Sequence, residues 1–149
     1  SFAISDSRSQ RMKTLSGHTS TIRALVFLND TNRIISASRD TTIRVWNIAN
    51  GECTDVLTAH TGTIRSLALS RAGDLLLSGS HDGTACLWRV LNDGAVLVYT
   101  LHGHEGAIYC VGFAESAGTQ ILTGGADTFV RIWDPEDGCV FLTTEADKY

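Results

Sequence analysis

This 149-residue chain is poor in several features that mark particular functions. It has one proline, so its turns fall to Gly, Asn and Asp instead. It has no long apolar run: Ala24–Leu28 and Ala95–Tyr99 are far too short to span a bilayer. The first apolar cluster, Phe2-Ala3-Ile4, is too small for a secretory leader, and none is predicted. A basic excess is missing too. Twelve Lys and Arg stand against sixteen Asp and Glu, and a net charge of -4 argues against bulk nucleic-acid binding. What the chain does have is 43% hydrophobic residues with only 19% charged, the balance of a folded domain.

The four cysteines, Cys53, Cys86, Cys110 and Cys139, are too far apart for the short pairs that grip zinc or run thiol redox chemistry. Each lies in or beside a predicted strand, where a free thiol acts as a small buried hydrophobe. That predicts a reduced, intracellular protein, cytoplasmic or nuclear. Asn29-Asp30-Thr31 matches a glycosylation triplet, which would matter only outside the cell.

The dominant feature is an internal repeat. His18, Asp40 and Trp46 recur as His60, Asp82 and Trp88, and again as His104, Asp127 and Trp133. Asp precedes Trp by six residues each time, and the His-to-Trp intervals are 28, 28 and 29. Within each unit, β-branched runs alternate with Gly, Asn and Asp turns, as in Thr21–Leu28, Arg33–Ser38, Thr42–Asn47 and Glu52–Leu57. Four short strands joined by short turns predict an antiparallel meander. No helix is predicted.

Gly-His near the start of a unit and Trp-Asp at its end resemble the WD40-repeat family. The resemblance covers roughly residues 11 to 143. Departures are local: Asn47 and Arg89 follow the first two Trp residues, Asp134 alone gives a literal Trp-Asp pair, and Ala59 replaces the Gly before His60. The resemblance implies an all-β propeller of three four-stranded blades, near 15–57, 58–101 and 102–143, forming a single WD40 domain. Residues 1–14 read either as the remnant of a preceding blade or as a leader. Residues 144–149 are a tail, with Glu145 holding the place of His60 and His104. Three blades cannot close a ring, so the expectation is a piece of a larger propeller. The alternative is a homodimer closing six blades.

The resemblance also implies a structural network in which Trp donates to Ser, Ser meets His, and His meets Asp. On this chain that gives Trp46–Ser38–His18–Asp40 and Trp88–Ser80–His60–Asp82. In the third unit Gly125 replaces the Ser, leaving His104, Asp127 and Trp133 without the middle hydroxyl unless water or Thr123 supplies it. Ser80, His60 and Asp82 are also the residue types of a hydrolytic triad. A site repeated in tandem, with no G-x-S-x-G turn, argues against catalysis, and no catalytic residue is assigned. His102 and His104 are spaced for chelation but lack further ligands, so no metal is expected, nor any cofactor.

Such propellers commonly bind partners where the loop after Gly-His meets the turn at the network Asp. Five residues after each His stand Arg23, Arg65 and Tyr109; immediately before the Asp stand Arg39, His81 and Ala126. Arg suits carboxylate and phosphate, and Tyr supplies an aromatic anchor. The expected function is a non-enzymatic interaction scaffold whose rim residues Arg23, Arg39, Arg65, His81 and Tyr109 take acidic or phosphorylated segments of protein partners. Nucleic-acid binding through the same arginines, in a ribonucleoprotein or chromatin complex, is the alternative.

Overall fold

A computed structural model describes residues 2–5, 12–30, 32–116 and 118–145, without the side chains of Ile4, Ser5 and Met12. The described residues are all β, with no helix, and so none long and apolar enough to cross a membrane. A two-stranded hairpin, β1 (Phe2–Ser5) and β2 (Met12–Leu15), comes first. Blade 1 follows with β3 (Ile22–Phe27), β4 (Arg33–Ser38), β5 (Ile43–Asn47) and β6 (Cys53–Leu57). Blade 2 has β7 (Ile64–Leu69), β8 (Leu75–Ser80), β9 (Ala85–Val90) and β10 (Ala95–Leu101). Blade 3 has β11 (Ile108–Ala114), β12 (Gln120–Gly125), β13 (Phe129–Trp133) and β14 (Val140–Glu145). Each blade is an antiparallel meander in chain order, and the three do not close a ring.

The blades stack through apolar faces. Between blades 1 and 2 lie Ile35, Ile43, Val45, Ile64, Leu76 and Trp88; between blades 2 and 3 lie Leu77, Leu87, Leu101, Ile108, Ile121 and Trp133. β4 and β8 are covered on both faces, which is why Ile34–Ser38 and Leu76–Ser80 read as continuous buried runs rather than alternating ones. Burying one such Ile or Leu stabilises by about 1.5–3 kcal/mol.

The two ends depart from the simple count. Phe2 pairs with Leu15 as Ile43 pairs with Leu57, so β1 and β2 stand to blade 1 as β5 and β6 stand to blade 2. Phe2 meets Trp46 edge-on at 5.8 Å, and Lys13 Nζ donates to Ala49 O at 2.7 Å. The leading segment is therefore packed sheet. Asp6 and residues 7–11 lie outside the described residues, as do 146–149. At the other end, Glu145 does not hold the histidine place. It lies within β14 opposite Phe129, and Thr144, opposite Val130, takes the place of Leu57 and Leu101. The apolar Leu142 draws the eye, but Thr144 keeps the eleven-residue interval from Trp133 that separates Trp46 from Leu57.

The cysteines are not uniformly buried. All four are free; Cys86 is in the core and Cys53 half-buried, but Cys110 and Cys139 are exposed. Cys110 lies on blade 3, among residues that surround an open depression. Burial pushes the Cys86 thiol up to about 11, which keeps it protonated and inert.

Candidate functional site: the network and the rim above it

The buried polar network exists in all three blades, but through a different hydroxyl from the expected one. Trp46 Nε1 donates to Ser36 Oγ at 2.8 Å, and His18 Nε2 lies 2.7 Å from that oxygen. In blade 2 the hydroxyl is Ser78, 2.9 Å from Trp88 Nε1 and 2.8 Å from His60 Nε2. In blade 3 it is Thr123, at 2.9 Å from Trp133 Nε1 and 2.7 Å from His104 Nε2. Ser38 and Ser80 are thus corrected out of the network. Their hydroxyls donate to Thr21 O and Thr63 O and accept the N–H of Asp40 and Asp82, tying the Asp turn to the preceding loop. The third network loses nothing to Gly125, because the hydroxyl position is 123.

Each imidazole then reaches its aspartate. His18 Nδ1 is 2.7 Å from Asp40 Oδ2, His60 Nδ1 2.9 Å from Asp82 Oδ2, and His104 Nδ1 3.0 Å from both Asp127 oxygens. Donor counting fixes the direction of the chain. In blades 1 and 2 Trp N–H donates to the hydroxyl, the hydroxyl to Nε2, and Nδ1–H to the carboxylate, which closes with a neutral imidazole; in blade 3 Arg131 Nη1 also stands 2.8 Å from His104 Nδ1. Burial lowers His18 and His60 below the ordinary histidine value, against the opposing pull of Asp40 and Asp82. For Asp40 and Asp82 burial pulls upward, but hydrogen bonds outweigh it. The Thr42 and Thr84 hydroxyls at 2.6 Å, backbone N–H groups and the imidazoles hold both carboxyls below the usual range. Asp127 is lowered likewise against its desolvation, with His104 and then Arg131 Nη1, at 2.7 Å, in place of a threonine hydroxyl.

This geometry bears on the triad and on chelation. The hydroxyl aligned with His60 belongs to Ser78, which has no solvent exposure and already accepts the Trp88 N–H. His104 has both ring nitrogens engaged, and among the described residues no cluster of three or more His, Cys, Asp or Glu side chains could hold a metal. Even the Ala59 departure has a local cause. A Cβ on Gly17 would come within 2.6 Å of Arg44 and 3.2 Å of Trp46, and one on Gly103 within 3.2 Å of Trp133. Cys86 takes the place of Arg44 and Arg131 in blade 2, so the crowding at residue 59 is smaller.

The rim residues are aimed by the backbone. Ile22 pairs with Ser38 and Ala24 with Ala37, leaving Arg23 as the extra residue of a β-bulge. Arg65 is the extra residue between Ile64 and Ser66, and Tyr109 between Ile108 and Cys110. Bulges re-aim a side chain away from the pleat. The residue before each Asp is held beside its bulge, since Arg39 N donates to Thr21 O, His81 N to Thr63 O and Ala126 N to Ala107 O, each at 2.8 Å. Arg65, His81 and Tyr109 come together across the blade 2–3 boundary. The Arg65 guanidinium is 5.5 Å from the Tyr109 ring centre, and the His81 ring meets Tyr109 edge-on at 5.8 Å. Arg23 and Arg39 are exposed at the same positions of blade 1 but make no ring or ion-pair contact with that cluster.

A profile described as "WD domain, G-beta repeat" matches residues 9–47, 51–89 and 95–134, most of the chain. The chain belongs to the WD-repeat family. Nuclear distribution protein nudF of Aspergillus flavus is 42% identical over 161 aligned positions, covering 94% of this chain and 35% of the relative. The nudF protein of Aspergillus niger is 49% identical over 47 residues, covering 31% of the chain and 11% of the relative. The chain thus spans no more than about a third of either. A solved structure, "Structure of U3-55K", superposes with a TM-score of 0.81 at 24% identity, over 91% of this chain and 42% of that one, which establishes a shared fold. WD-repeat membership implies a protein-interaction scaffold.

Proposed function

We propose that this WD-repeat chain is an interaction scaffold whose rim captures an acidic or phosphorylated segment of a partner protein. The supporting observation is the cluster of Arg65, His81 and Tyr109, with Arg23 and Arg39 on the neighbouring blade. Arg23, Arg65 and Tyr109 are bulge residues, backbone bonds hold Arg39 and His81 beside the bulges, and among the described residues no carboxylate pairs with any of the arginines there, which supports the reading. A guanidinium left unpaired on a rigid edge is available to a carboxylate or phosphate from outside. Tyr109, 48% exposed, offers an aromatic surface beside it.

The setting is intracellular, cytoplasmic or nuclear. Two exposed free thiols and no disulfide suit a reducing compartment. The test is binding of a phosphoserine-containing acidic peptide and its unphosphorylated form to the parent and to Arg23→Glu/Arg65→Glu. Loss of binding with an unchanged melting profile supports the reading; unchanged affinity ends it. Nucleic acid competes for the same arginines, and a steep salt dependence of single-stranded RNA binding, absent for the peptide, would favour it instead.

A further inference from the structure

The outer wall is built differently at the two blade boundaries. Between blades 1 and 2, Arg33 lies opposite Asn47 and reaches across, its Nη1 donating to Leu91 O. Asp55 beside it accepts the Ala95 N–H at 3.1 Å, a latch that Tyr99 repeats at the next boundary by donating to Glu136 O at 2.6 Å, so the difference lies at Arg33. In blade 2 the place of Arg33 is taken by Leu75, opposite Arg89. Leucine has no polar head to reach blade 3. A groove of about 480 Å³ opens there, walled by Leu75, Leu87, Arg89, Val98 and Tyr99 on one side and by Thr119, Pro135 and Glu136 on the other. It adjoins a second depression of about 370 Å³ that shares Pro135 and Glu136 and ends at Phe141.

The strand beside the groove is an unprotected edge. β10 is the outermost strand of its sheet, and Val96, Leu97 and Val98 are exposed along it. Val98 is itself the extra residue of a bulge, since Leu97 pairs with Trp88 and Tyr99 with Leu87. No charge falls between Ala95 and Leu101, whereas β2 and β6 carry Lys13 and Asp55. An apolar edge without a charge is a template for adding a strand. Arg89, exposed at the lip, has no ion-pair partner among the described residues.

We infer that this groove takes an extended segment of a partner protein, paired along the free edge of β10. A large apolar side chain of that segment enters the groove past Val98, with Leu75 at its inner end, and an Asp or Glu lies against Arg89. The surface shares no residue with the rim.

Short random peptides displayed on phage, selected on the whole chain and counter-selected on Leu75→Arg, are the probe. Leu75→Arg restores the side chain that bridges the equivalent place in blade 1. The expected peptides carry a large apolar residue close to an Asp or Glu. They lose affinity by roughly tenfold or more on Leu75→Arg and on Arg89→Glu. They bind Arg23→Glu/Arg65→Glu as tightly as the parent and protect β10 amides from exchange. Thr119→Arg fills the groove from the blade 3 side and serves if Leu75→Arg does not fold. Selected peptides that bind either groove-filled variant like the parent, or a selection without this pattern, overturn the inference.

Discussion

His60 and Ser78 share a hydrogen bond of 2.8 Å in the centre of blade 2, and the same oxygen accepts the Trp88 indole at 2.9 Å. One hydroxyl therefore satisfies two buried groups. Removing it strands both, which costs about 1–3 kcal/mol for each unsatisfied group. Ser78→Ala is expected to destabilise by about 2–4 kcal/mol, and Asp82→Ala by a similar amount. Ser80→Ala, which loses turn bonds to Thr63 O and Asp82 N, is expected to cost about 1 kcal/mol. Urea unfolding ranks them. Ser80→Ala costing more than Ser78→Ala would reverse the assignment, and Asp82→Ala behaving like a change at exposed Asp93 would mean that the network does not stabilise the blade.

That assignment marks the limit of what the sequence discloses. Blade number, strand order and the His, Asp and Trp positions are legible because each recurs at fixed spacing. The serine was not, because Ser36 and Ser38 are two apart on one strand and so point to the same face. Blade 3 held the signal: its two equivalents are Thr123 and Gly125, and only the first keeps a hydroxyl in every unit. The groove beside β10 was invisible for another reason. It depends on what a side chain in one blade reaches in the next, and the Arg33-to-Leu75 difference acquires meaning only once the blades are stacked.

The networks also set the acid response. His18 and His60 are lowered in the folded state, so as pH falls through about 6.5 the unfolded chain takes up protons that the folded chain does not. Stability falls in that window and levels off below the lowered folded values. The lowered carboxyls of Asp40, Asp82 and Asp127 contribute fully above about pH 4 and lose that contribution as the pH drops further. Both groups act in the same direction. Melting temperature is expected to decline in two steps on acidification, and a flat profile from about pH 7 to 5 would contradict the histidine step.

The turn after each network aspartate is strained in two blades. Thr41 and Thr128 have φ of 77° and 70°, a left-handed conformation that costs a β-branched residue about 1–2 kcal/mol. Blade 2 has Gly83 there, with φ of 87°. Thr41→Gly and Thr128→Gly are each expected to stabilise by about 0.5–1 kcal/mol, the relief of strain exceeding the entropy gained by the unfolded chain. Gly83→Ala should destabilise, since its Cβ would also press within 3.1 Å of Gly106 O. Calorimetry on the three variants decides it; no gain at either threonine would count against strain.

The fourth strand of one unit is latched to the next at one repeated place. Lys13, Asp55 and Tyr99 each stand two residues before Leu15, Leu57 and Leu101, and each reaches the following blade's last turn. Asp55 leaves least room. A Cβ on Gly94 would lie 2.1 Å from its Oδ2 and 2.9 Å from its Cβ, too close for a rotamer change alone to resolve. Gly94→Ala is expected to destabilise by about 1–3 kcal/mol, as overpacking does. In the Asp55→Ala background most of that penalty should vanish, because the clash partner is gone while the turn remains. A double-mutant cycle gives the coupling directly, and additive costs would mean that Gly94 is required for its backbone and not for the space it leaves to Asp55.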